Sequence, residues 1–126
     1  MELVKSLSIT MVSTALMVLT TATQAKSSTL TFERSIGSPG IERGNLFLPQ
    51  GIDVQEETGN VFISDSANNR VSVFDQNGNF VKTIGSLGSG LGQFNQTADL
   101  AFDKLTGNLY VGDVYNSEID VFDANG

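Results

Sequence analysis

The chain has 126 residues and carries 14 acidic against 7 basic side chains, a formal charge of −7. It contains no cysteine and no histidine, which excludes disulfide staples, Ser-His-Asp and Cys-His catalytic pairs and the usual zinc sites. The acidic balance also argues against nucleic acid as a partner, because proteins that bind a phosphate polyanion present a basic stripe.

Residues 1–25 read as a secretory signal peptide. Lys5 precedes an apolar stretch from Leu7 to Thr21, and Thr23, Gln24 and Ala25 place small residues one and three positions before a cut. A membrane anchor is the weaker alternative, since Ser8, Thr10, Ser13 and Thr14 interrupt the run and it falls short of the ~20 residues a bilayer needs. Cleavage leaves 101 residues with 13 acidic and 6 basic side chains. The expected destination is outside the cytoplasm, as an extracellular, cell-surface or periplasmic protein with no membrane span after signal removal.

Residues 26–126 hold an internal repeat. At an offset of 48 positions, ten of the thirty residues from Pro49 to Gly78 are identical, among them Thr58-Gly59-Asn60, Asp65, Asn68 and Val73-Phe74-Asp75. Roughly two matches would occur by chance, so the chain is built from stacked supersecondary units, here at about 48–85 and 96–126. In the first unit the apolar runs Ile52–Val54, Val61–Ser64, Val71–Phe74 and Phe80–Ile84 are separated by Thr, Gly and Asn residues that favour tight hairpins. In the second, Leu100–Phe102, Leu109–Val111 and Ile119–Phe122 keep the same order. Apolar neighbours within one run (Val61, Phe62, Ile63) predict sheets covered on both faces. Four-stranded antiparallel blades packed around an axis meet that requirement.

The block GNVFISDSANNRVSVFDQNGNFVKTIG resembles the NHL repeat of β-propellers, and GNLYVGDVYNSEIDVFDANG is a looser copy. The resemblance covers roughly Leu30 to Gly126 and implies an all-β fold, a partial β-propeller with two NHL-type blades. The second unit departs from the pattern at Ser117 and Glu118, where Asn-Arg is expected, and at Thr97, Ala98 and Asp99, where Pro-Gly is expected. The segment Leu30 to Ile36 aligns with the fourth strand of the first unit and is expected to complete a blade. Two blades cannot close a ring, so the chain is expected to be part of a longer protein or to assemble from several copies. Three copies make six blades, with Leu30–Ile36 of one copy pairing with Val121–Asp123 of the next.

One fold hosts many activities, and the expectation here is a binding or scaffold module for a protein or small ligand rather than an enzyme. The alternative is a fragment of a propeller lyase or lactonase whose active residues lie outside this chain, with only Asp53, Asp99 and the inner strands available for a polar cluster here. No catalytic residue, cofactor or metal is expected, since no dense D-x-D-x-D loop offers the six to eight oxygens that calcium takes. Asp65 and Asp113 each follow a strand and precede Asn, and are expected to cap turn N–H groups. Candidate ligand contacts at loop tips and in the connector are Asn68, Asn69, Arg70, Gln93, Asn95, Tyr115 and Asn116. Phe94 is expected to plug the space between blades, and Gly85–Gly92 to act as a flexible connection.

Overall fold

The computed structural model describes residues 29–123. The expected signal peptide at 1–25 lies outside the described residues, as do Asn125 and Gly126 of the repeat match. Residues 33–126 form one compact unit, which holds every strand found among the described residues.

The strand-forming residues are β-branched and aromatic, as a pleated, buried surface favours. A short parallel pair, β1 (Ser38–Pro39) and β2 (Asn45–Leu46), precedes a four-stranded sheet of β3 (Pro49–Gln55), β4 (Asn60–Asp65), β5 (Arg70–Phe74) and β6 (Phe80–Ile84). The order β3-β4-β5-β6 is an antiparallel meander. A single 3-10 turn, Ser66–Asn68, joins β4 to β5 and ends on Asn69 in the left-handed region. A second meander follows: β7 (Thr97–Phe102), β8 (Leu109–Asp113) and β9 (Glu118–Phe122), with β9 at an open edge among the described residues. Gly59 and Gly107, 48 apart, adopt φ of 72° and 76° in the equivalent hairpins, where a side chain would be strained.

Two features of the chain differ from the sequence expectation. Residues 29–36 carry no regular secondary structure, so the strand expected over Leu30–Ile36 is not formed. A strand requires an edge to pair with, and this segment has no ladder partner among the described residues. Gly85–Gly92 is not a slack tether. Leu87 bridges Phe94 in parallel as Pro39 bridges Leu46 one repeat earlier, and Gly88 N donates to Phe94 O at 3.0 Å as Gly40 N donates to Leu46 O. The departure at Thr97, Ala98 and Asp99 leaves the backbone unchanged, because the register shift between Pro49 and Ile52 recurs between Thr97 and Leu100.

The core lies between the two sheets. Phe62, Val71 and Val73 from the first meet Leu100, Leu109 and Val111 from the second and Phe94 from the connector between them, all buried. Burial of each such side chain contributes about 1.5–3 kcal/mol. The Phe62 and Phe102 rings pack edge to face at 4.8 Å, and Ser64 Oγ donates to Thr97 Oγ1 at 2.8 Å in the buried layer. The inner strands β3 and β7 approach so closely at Gly51 that a Cβ there would lie 2.8 Å from Asp99 Cα.

Candidate functional site

The loops that enter each sheet converge on a buried aspartate. Asp65, at the end of β4, accepts a hydrogen bond from Phe47 N at 2.7 Å, from Asn68 Nδ2 at 2.9 Å, from Arg70 Nε at 2.8 Å and from Ser72 Oγ at 3.3 Å. Its side chain is fully buried and pairs with Arg70. The carboxylate does not cap the 3-10 turn that follows it. It ties the turn's Asn68 and the strand's Arg70 to the loop before β3, so its backbone donor is 18 residues away rather than local. A buried carboxylate without such partners would be costly.

Asp113 repeats half of this arrangement. It accepts from Asn95 N at 2.9 Å, from Asn116 Nδ2 at 2.7 Å and from Asn116 N at 3.5 Å. Asn95 and Asn116 are the repeat equivalents of Phe47 and Asn68, and Asn116 Nδ2 reaches Gly88 O as Asn68 Nδ2 reaches Gly40 O. Strand β9 supplies Glu118 and Asp120 in place of Arg70 and Ser72. Carboxylate oxygens of Asp113, Glu118 and Asp120 lie within 4.8 Å of one another. Asp120 Oδ2 is buried with no hydrogen-bond partner. Burial, with Glu118 and Asp113 beside it, raises the Asp120 carboxyl above its ordinary value. The sequence shows Glu118 only as a departure from the repeat pattern; the convergence of three carboxylates needs the β8–β9 register, which pairs Asp113 with Glu118.

Most of the candidate ligand contacts are engaged within the protein. Asn68 and Asn116 hold the loops just described. Asn69 Oδ1 accepts from Gln96 N at 2.7 Å, linking the first sheet to the entry of β7. Arg70 Nη2 donates to the carbonyls of Glu42 and Asn45 at 2.9 and 3.1 Å. Gln93 Oε1 accepts from Gly90 N, and Asn95 O accepts from Tyr115 N. Asp53 Oδ2 accepts from Phe102 N and Asp99 Oδ1 from Leu100 N, so both inner-strand carboxylates serve the backbone. Tyr115 alone of the candidates projects into solvent, with 68% of its surface exposed. Val114 beside it, and Phe47 and Leu48 on the equivalent side of the first sheet, are also exposed. Ala67 N in the β4–β5 turn donates to Phe47 O, and in the β8–β9 turn Val114 N and Tyr115 N donate to Gln96 O and Asn95 O, which places Phe47, Val114 and Tyr115, with Leu48 next in sequence to Phe47, at the same end of their sheets.

The sequence pattern of a family described as 6-bladed beta-propeller matches residues 48–126. Protein lin-41 of Caenorhabditis elegans is 44% identical over 57 residues, which is 45% of this chain and 4% of that protein. The chain thus spans only a small part of the length of the curated relative it matches. Two meanders of one repeat, packed face to face through Phe62, Phe94 and Phe102, are successive blades of such a ring: the chain belongs to the 6-bladed β-propeller family, and its repeats are of the NHL type.

Proposed function

We propose that this chain is an exported propeller module that binds a partner protein, with the rim formed by Phe47, Leu48, Val114 and Tyr115 as its contact surface. The observation that carries the reading is the division of labour among the loops. Their polar side chains are consumed by internal hydrogen bonds, while apolar and aromatic side chains stand exposed at the same end of both sheets. Large exposed apolar groups rimmed by polar residues characterise protein-binding surfaces, and Tyr is enriched at their centres. Export rests on the apolar stretch Leu7–Thr21 and the Thr-Gln-Ala site.

Site-specific photo-crosslinking in the producing cell tests the binding role. A photoreactive residue at Tyr115 should give one discrete protein adduct. The same group at Leu105, fully exposed in the β7–β8 hairpin at the other end of the sheet, should give none. Equal labelling at both positions would contradict the assignment. Intact-mass analysis of exported material tests the first part, with Lys26 expected as the first residue.

A further inference from the structure

The two sheets share one polar cradle and differ in what fills it. In the first, the Arg70 guanidinium donates to Asp65 Oδ2 at 2.8 Å and to the carbonyls of Glu42 and Asn45 at 2.9 and 3.1 Å. Every group that hydrogen-bonds the Asp65 or Arg70 side chain lies between residues 42 and 72; β6 and the second sheet supply none among the described residues. The same framework recurs 48 residues later, between residues 88 and 120. Gln93 N donates to Gly90 O at 3.0 Å as Asn45 N donates to Glu42 O at 3.1 Å. Asn95 N reaches Asp113 Oδ1 as Phe47 N reaches Asp65 Oδ1. Asn116 Nδ2 joins Asp113 to Gly88 O as Asn68 Nδ2 joins Asp65 to Gly40 O. The acceptors that hold a guanidinium in the first sheet are thus repeated in the second, as the Asp113 carboxylate and the carbonyls of Gly90 and Gln93.

The second cradle carries added negative charge in place of its cation. Glu118 stands at the register of Arg70 and Asp120 at that of Ser72, and carboxylate oxygens of Asp113, Glu118 and Asp120 lie within 4.8 Å of one another. Asp120 Oδ2 is buried with no hydrogen-bond partner. Carboxylates this close repel, and a buried acceptor without a donor is costly, so the cluster is matched to an incoming cation. The position opens to solvent. Glu118 is exposed, and the Arg70 side chain keeps 14% exposure with the second sheet packed beside it. The exposed Val114 and Tyr115 belong to the same turn, where Asn116 N donates to Asp113 and Tyr115 N to Asn95 O.

We infer that the partner protein inserts an arginine side chain between Asp113, Glu118 and the connector carbonyls, supplying from outside the cation that Arg70 supplies within the first sheet. The inference rests on the partner-binding role proposed above and adds the chemistry of the partner: an arginine for the carboxylates, flanked by apolar side chains for Val114 and Tyr115. Arginine fits because its planar fork donates to carboxylate and carbonyl acceptors together, as Arg70 does, and keeps its charge when desolvated. The chain's formal charge of −7 also draws a basic partner surface toward it.

Glu118→Arg tests the contact, because it fills the cradle from within the chain. The photoreactive residue at Tyr115 is introduced into the full chain, into Glu118→Arg and into Glu57→Arg, which makes the same charge change in the β3–β4 hairpin at the other end of the sheet. The unaltered chain and Glu57→Arg should give the same adduct. Glu118→Arg should lose it while melting no lower than the unaltered chain, and the adducted peptide should carry an arginine at or beside the crosslinked residue. An adduct kept by Glu118→Arg, an adducted peptide without arginine, or an adduct lost on chelation of divalent ions would overturn the inference. Should Glu118→Arg melt lower, Glu118→Gln replaces it, and an undiminished adduct in that variant would overturn the inference equally. Absence of any adduct from the unaltered chain removes the binding role itself, whereas an adduct that Glu118→Arg retains removes only the arginine contact.

Discussion

Arg70 and Glu118 occupy the same register position in successive sheets, opposite Asp65 and Asp113 respectively, so the second blade carries a negative charge where the first carries its internal cation. The Arg70 guanidinium joins the buried Asp65 to the carbonyls of Glu42 and Asn45. One repeat later those carbonyls belong to Gly90 and Gln93, and Asp113 waits with the same backbone geometry.

Glu118→Arg should therefore recreate the missing staple. A charge-assisted hydrogen bond to Asp113, with one repulsive carboxylate removed, should stabilise the fold by about 1 kcal/mol. Urea denaturation measures this as a higher midpoint with unchanged slope. A lower midpoint would mean that Glu118 has a favourable partner of its own.

Asp120 should make the second blade sensitive to pH. Ser72, its equivalent, donates a hydroxyl to Asp65, and Asp120 can make that donation to Asp113 only when protonated. Its carboxyl is raised above the ordinary 3.8 by burial, then by Glu118 and Asp113, the charged groups on its own strand and on β8 that face it. The folded state therefore holds this proton more tightly than the unfolded state. The associated stability is present below 3.8 and is lost as the pH rises through the folded value. Asp120→Asn should melt higher than the unaltered chain at neutral pH, and the difference should shrink on acidification. A difference independent of pH would contradict the assignment.

The turn aspartates should behave in the opposite sense. Hydrogen bonds hold both below the usual carboxylate value: Asp75 through the Asn79 side chain and then its backbone, Asp103 through the Thr106 side chain and then Leu105 N. Their contribution is present above 3.8 and disappears as the pH falls through the folded values. Carboxyl-carbon NMR titration should place both midpoints under 3.8. A midpoint above it for either residue would refute the role of that turn.

Gly85 lies where the connector leaves β6, at φ +80°, and a Cβ there would sit 2.3 Å from the buried ring of Phe94. Gly85→Ala should cost about 2–4 kcal/mol, from the strained backbone and the displaced ring together. The measured loss in thermal or chemical unfolding checks this, and a neutral substitution would mean that the connector yields at no cost.

The fold was legible because the turn residues and apolar runs recur with one period. Gly59 and Gly107, or Val73 and Val121, announce the same strand and hairpin twice, and both local propensity and repeat agree. Strand ends extended beyond the apolar runs, as at Pro49 and Asn60, because ladder pairing continues past the hydrophobic stretch. The loops were less legible. Asn68, Asn69 and Arg70 are polar and stand at a strand end, which sequence alone cannot distinguish from a ligand-binding tip. Their partners Gly40, Gln96 and Glu42 are 27 to 28 residues away in sequence and meet them only in the folded structure. Sequence separation also hid the role of Asp65, whose backbone donor Phe47 lies 18 residues earlier.

The central claim is that polar loop residues hold the blades while the exposed rim is free to bind, and a paired comparison of thermal melts tests it most directly. Arg70→Ala leaves the buried Asp65 without its cation, which should cost about 3 kcal/mol and lower the melting midpoint by on the order of 10 °C. Tyr115→Ala removes an exposed side chain and should leave the midpoint within error of the unaltered chain, while abolishing the adduct captured from the neighbouring rim position Val114. A Tyr115→Ala midpoint that falls as far as that of Arg70→Ala, or an Arg70→Ala midpoint that does not move, would contradict the account.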